Sequence, residues 1–197
     1  MRALLDKLTG AAPMFCNTIP TAQAYTFSAP AAFAGDIINS DESNVEQAQL
    51  VGVGSPAVYP SAYGLAMKYV SGGIQQFNGG SETAPSFAGV LVREIPSISG
   101  SSADDSAAPP AGGTPWANNV PVGMCVRGYV AVLCVYGTPV RGTAPYVRIV
   151  GTSNNETVGT FDATSDSSNN VVLTATQAEW ASDGKDSNNI AILRIAR

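Results

Sequence analysis

Short β-prone runs, cut at close intervals by Gly, Pro and Asn and with no sustained helical period, constrain this chain most. The pattern is densest over residues 122–151, VGMCVRGYVAVLCVYGTPVRGTAPYVRIVG. Its first half is rich in Val, Tyr, Cys and Leu, residues that suit a pleated, packed surface. Gly137-Thr138-Pro139 breaks the run, and a second begins at Ala144. Two strands with a short Gly/Pro connection predict a β-hairpin or a corner of a barrel.

The same punctuation recurs along the chain. Residues 65–70 predict a strand that Gly72-Gly73 turns into 74–77, and Asn78-Gly79-Gly80 is a further turn signal. Residues 87–95 read as a strand apolar on both faces and ended by Pro96. Residues 50–53 and 57–59 read as one strand broken by Gly54-Ser55-Pro56. Short strands follow at 158–162 and 171–175, and a bend at 178–184. Residues 190–195 close the chain as a strand, with Ile190, Ile192 and Arg194 facing opposite to Ala191, Leu193 and Ile195. The polar residues 39–49 predict a loop or a weak helical turn capped by Asp41. The sum is an all-β fold: a single β-barrel or β-sandwich domain with an extended N-terminal arm and little helix.

The arm spans residues 1–34 and the domain residues 35–197. Leu4, Leu5 and Leu8 give residues 1–13 a faint amphipathic helical pattern, too short to stand alone. Phe15, Ile19, Tyr25, Phe27 and Phe33 then punctuate an extended segment without helical period. Such anchors either dock on another surface or fold back on their own domain. Residues 97–119 form a long Ser/Ala/Gly/Pro loop, a length that marks function or disorder. Trp116 near its end reads as a contact anchor or as a cover for a core edge.

Several function classes lack their chemistry. There is no histidine, which removes His-based triads and nearly all His-containing zinc sites. Net charge is -5 and the ten Lys and Arg are scattered, so no basic stripe offers itself to nucleic acid. Charged residues make up 13%, against roughly 25% in ordinary soluble domains. A surface so poor in charge suits packing against other proteins, and also a secreted β protein. No apolar run reaches the roughly 18 residues of a membrane span. No apolar segment precedes a small-residue cleavage site, so synthesis inside the cell is expected. The three cysteines, Cys16, Cys125 and Cys134, make no disulfide framework and read as small buried hydrophobes. Cys125 and Cys134 are nine apart on one strand, which places them on opposite faces.

No motif assembles a catalytic or metal site. The pairs Asp41-Glu42 and Asp104-Asp105 lie in polar loops. Asp162, Asp166, Asp183 and Asp186 lie in Ser/Asn-rich turns; they lack EF-hand spacing and read as turn formers before calcium ligands. Arg93, Arg127, Arg141 and Arg148 lie on or between strands, where they pair with carboxylates of a neighbouring chain or sit solvated. No enzyme activity, cofactor or metal is expected. A carbohydrate-binding or fibre-like β module is the alternative, with Trp116, Trp180 and Tyr59 as a sugar platform.

Four ordered pieces resemble a known family: Phe15-Cys16-Asn17-Thr18 with PAAFAGD at 30–36; FAGVLVR at 87–93 before Pro96; RGYVAV at 127–132 with GTPV at 137–140 and Val147-Arg148; and AEWASDG at 178–184 with IAILRI at 190–195. Together they resemble the gp24-like structural cement, or head-decoration, proteins of tailed bacteriophages, over roughly residues 14–197. Residues 1–13 and the loop at 97–119 depart from the family pattern. The resemblance implies a virion protein, made in the host cytoplasm, that binds the capsid exterior and bridges neighbouring major capsid protein subunits. It also implies a homo-oligomer at symmetry axes, a trimer before a dimer, with no nucleic acid or membrane partner. Phe15, Ile19, Tyr25, Phe27 and Trp116 are then the expected capsid or subunit contacts.

Overall fold

The computed structural model describes residues 32–55, 59–79, 82–93, 121–151 and 157–196, all within the unit Ala31–Arg197. In chain order the strands are β1 (Ile37–Gln49), β2 (Ala66–Val70), β3 (Gly73–Gln76), β4 (Phe87–Leu91), β5 (Pro121–Leu133), β6 (Tyr146–Arg148), β7 (Phe161–Asp162), β8 (Asn170–Val172), β9 (Ala178–Trp180) and β10 (Ile190–Ile195). Among the described residues the helical element is one 3-10 turn, Ala84–Ser86.

A seven-stranded sheet runs β3-β2-β4-β5-β10-β9, with β1 also paired to β5. The ladders are antiparallel. Cys125 lies opposite both Val45 and Val90, and Val130 opposite both Ile37 and Leu193. Thus β1 runs along one edge of β5, while β4 and β10 share the other. A three-stranded sheet, β7-β6-β8, forms a second layer. The large sheet is not closed into a barrel: β3 meets the end of β1 through a single parallel bridge, Leu50 to Ile74. The arrangement is sandwich-like.

Apolar side chains of both layers bury together in the main core. Val147, Phe161 and Leu173 of the smaller layer join Phe87, Val90, Val130, Val132, Trp180, Leu193 and Ile195 of the larger. Fully burying one such side chain contributes about 1.5–3 kcal/mol. Phe87 and Phe161 meet edge to face at 6.4 Å. A second cluster, including Leu50, Met67, Ile74, Leu91, Val122, Met124 and Val126, fills the opposite face. This explains why β4 and β5 carry apolar residues on both faces.

The strand β5 reverses its faces midway. Before Arg127 the even-numbered Val122, Met124 and Val126 enter the second cluster and Cys125 the main core. After it the even-numbered Val130, Val132 and Cys134 enter the main core. Between them Gly128 has φ of +115°, and β1 carries irregularities from Asn39 to Val45. This bulge inverts the alternation. Cys125 and Cys134 therefore face the same core, not opposite faces. Both are free and buried.

Other local expectations also change. The polar stretch expected as a loop or helical turn is the long strand β1, held by its backbone ladder to β5. The predicted hairpin after β5 is absent, because β6 leaves for the second sheet. The predicted bend at 178–184 begins as β9, which pairs with β10. Within the predicted broken strand, Leu50 and Val53 are bridge positions and residues 56–58 lie outside the described residues. By contrast β2, β3, β4 and β10 form where expected, and the buried face of β10 is Ala191, Leu193 and Ile195.

Candidate functional site

Where β1 bulges away from β5, the two strands and the end of β10 line an open polar cleft. Asp41, Glu42, Asn44, Arg127, Tyr129 and Arg194 line it. The bulge needs Gly128, since a Cβ there would lie 2.3 Å from Ser43 Oγ and 2.5 Å from Ser43 Cα. The Ser43 hydroxyl donates to the Asn39 carbonyl and accepts from the Tyr129 N–H at 3.3 Å. Arg194 reaches Glu179 at 2.7 Å, and that hydrogen bond raises its already high pKa. Arg127 is exposed. The cleft thus mixes both signs of charge on a solvent-facing strand edge. Such chemistry suits polar contact with another surface. The exposed Asp41, Glu42 and Glu46 also keep this edge from indiscriminate strand pairing.

Elsewhere loops cover the sheet edges. Gly142 and Thr143 bond the outer edge of β9 through Trp180, and Val135 bonds β7 through Phe161. Large apolar side chains exposed on the body include Tyr136 at 49%, Val140 at 55% and Val172 at 46%.

The most buried polar group is structural. Arg148, on β6, is fully buried and pairs with Asp162 at 2.9 Å and Asp166 at 3.0 Å. Asp162 also accepts from the Tyr136 N–H at 3.1 Å and the Asn170 amide at 2.9 Å. Arg148 is therefore neither solvated nor a partner for a neighbouring chain. Asp186 stabilises its turn by accepting from the Asn188 and Ile190 N–H groups, and Asp183 accepts from the Arg141 N–H. Among the described residues no cluster of three or more Cys, Asp or Glu is placed to hold a metal.

Of the expected contact residues, Phe15, Ile19, Tyr25, Phe27 and Trp116 all lie outside the described residues. For the sugar platform, Trp180 is fully buried in the main core and Tyr59 packs against the second cluster. Trp180 presents no ring to a glycan, and Trp116 lies outside the described residues. The cleft itself escaped the sequence, which shows Asp41-Glu42 and Arg127 as separate features. Their meeting depends on the β1–β5 pairing.

A family model described as structural cement protein (E217 gp24/Pam3 gp6) matches residues 21–196. The chain belongs to this family. Its role is that of a phage capsid cement, or decoration, protein, associated with the shell proteins of the virion capsid. The family is a structural one. Among solved structures, a chain from "The capsid of Myoviridae Phage XM1" matches with a TM-score of 0.55 and 16% identity, over 83% of this chain and 89% of that one. At that identity the likeness is one of fold. A search of curated proteins found no match.

Proposed function

We propose that the protein binds the outer surface of the icosahedral head and bridges neighbouring subunits of the major capsid protein. It acts as a homo-oligomer, a trimer before a dimer, seated at symmetry axes. The family match over residues 21–196 carries this reading. The chemistry of the body supports it: few charges overall, exposed Tyr136, Val140 and Val172, and a mixed-charge cleft at the edge of β1. Adhesion of this kind needs a stiff platform and no reacting group.

In this proposal residues 1–34 form the arm, and Phe15, Ile19, Tyr25 and Phe27 are its anchors, with Trp116 adding a contact from the 97–119 loop. Linking several such contacts in one oligomer raises avidity through effective concentration. Synthesis takes place in the host cytoplasm. The test is co-sedimentation of purified protein with heads that lack it, followed by cryo-EM of the decorated particles. Saturation at a copy number set by capsid symmetry is expected, and failure to sediment with heads refutes the reading. A chain lacking residues 1–30 should keep its circular dichroism spectrum and lose most of its binding. Undiminished binding would remove the arm from the proposal.

A further inference from the structure

Lys68, Asn78 and Glu82 converge at one place on the β2–β3–β4 meander. Lys68 Nζ lies 2.5 Å from Glu82 Oε1 and 3.0 Å from Asn78 Oδ1. The Asn78 backbone N–H also donates to Glu82 Oε1, at 3.4 Å. The side chains of Lys68 and Glu82 are only 15% and 7% exposed. Lys68 lies opposite Phe87 in the β2–β4 register, and Phe77, next to Asn78, is fully buried. Gly79 pins the loop: its φ is +97°, and a Cβ there would lie 2.6 Å from the Ile149 carbonyl oxygen. The Lys68 amine, on β2, is thus within hydrogen-bonding reach of both a carboxamide and a largely buried carboxylate. That is the set of groups needed for transamidation.

We propose that Lys68 and Asn78 become joined by a side-chain isopeptide bond, formed by the protein itself with Glu82 as proton carrier. Glu82 takes a proton from the Lys68 ammonium, and the freed amine attacks Asn78 Cγ, forming a C–N bond. Glu82 returns that proton to Asn78 Nδ2 and takes a second one from Nζ. The Cγ–Nδ2 bond breaks, and ammonia leaves with the remaining proton as ammonium. Atoms and charge balance without any co-reactant. Fixed proximity supplies most of the advantage over the intermolecular reaction, and proton shuttling the rest. Asn78 is exposed, which gives ammonia a way out. The bond staples β2 to the β3–β4 loop in a protein whose role is to stabilise a shell.

Intact-mass spectrometry of the full chain tests this. The expected mass lies about 17 Da, one ammonia, below that of the sequence. Trypsin should fail to cut after Lys68, and peptide mapping should return a branched peptide joining Lys68 to Asn78. Asn78-Gly79 is also a site where an ordinary succinimide loses the same mass, so Lys68→Arg separates the two. Arg keeps the charge next to Glu82 and cannot form the bond. Loss of the mass deficit in Lys68→Arg and in Glu82→Gln, with circular dichroism unchanged, supports the proposal. A wild-type chain at full mass overturns it, as does a deficit that survives in Lys68→Arg. A deficit that survives in Glu82→Gln overturns the role given to Glu82.

Discussion

Replacing Arg148 by Met should be among the most damaging single changes to this fold. The guanidinium is wholly buried, as is its partner Asp162, while Asp166 is 29% exposed at the side chain. Removing the cation leaves the Asp162 carboxylate with two hydrogen bonds, from Tyr136 N–H and Asn170, and no counter-charge. Breaking one side of a buried pair costs about 3–5 kcal/mol, because an uncompensated charge stays in low dielectric. The partly exposed Asp166 adds at most about 1 kcal/mol. For a domain of this size the loss lowers Tm by roughly 6–20 °C. The double variant Arg148→Met/Asp162→Asn should recover much of it. The amide oxygen still accepts from Tyr136 N–H and no buried charge remains, while the NH2 in place of Oδ2 forfeits the bond from Asn170, so recovery is incomplete. Urea unfolding followed by far-UV circular dichroism gives each stability, and the cycle gives the coupling. A single variant within about 1 kcal/mol of wild type, or a double variant no better than the single, would refute the reasoning.

Gly128→Ala forces a side chain onto a φ of +115° and against Ser43, so a loss of about 2–4 kcal/mol is expected in the same urea assay. A neutral result would mean that the bulge relaxes without cost. Burial raises the Cys125 and Cys134 thiols from 9.0 to about 11. In the native protein at pH 8 both should react with a thiol reagent roughly a hundredfold more slowly than an ordinary cysteine, as read by peptide mapping. The unfolded chain loses these protons first as pH rises. Stability full below pH 9 should therefore fall as pH approaches 11, and a flat profile from urea midpoints would contradict the burial. Trp180→Ala should cost about 3–5 kcal/mol as a core truncation. A stable Trp180→Ala protein that had lost binding on a glycan array would restore the sugar-platform alternative.

The strands that formed where expected share one property: each carries its own evidence. β2 and β3 are joined through Gly72-Gly73, β4 is apolar on both faces, and β10 alternates between Ala191, Leu193, Ile195 and their neighbours. Local composition and turn chemistry report how a segment presents its side chains, and that was enough for the all-β class. The family resemblance was legible in part for the same reason, because two of its pieces, FAGVLVR and IAILRI, lie on β4 and β10. The contact residues assigned to the arm and to the 97–119 loop lie outside the described residues.

Lateral partnership is another matter, because a strand's backbone groups are the same whatever its neighbour. β1 has the polar composition of a loop and becomes a strand because β5 lies alongside to take its hydrogen bonds. β6 follows β5 in sequence yet pairs with β7 and β8, since its Arg148 finds Asp162 and Asp166 there. Counting residues put Cys125 and Cys134 on opposite faces, and one left-handed glycine between them reversed the count. Asp41, Glu42, Arg127 and Arg194 share a cleft only after three strands distant in sequence are brought side by side. Alternation along the chain is a local property of each Cα. Register, layer and charge pairing arise between segments, where no single stretch holds the information.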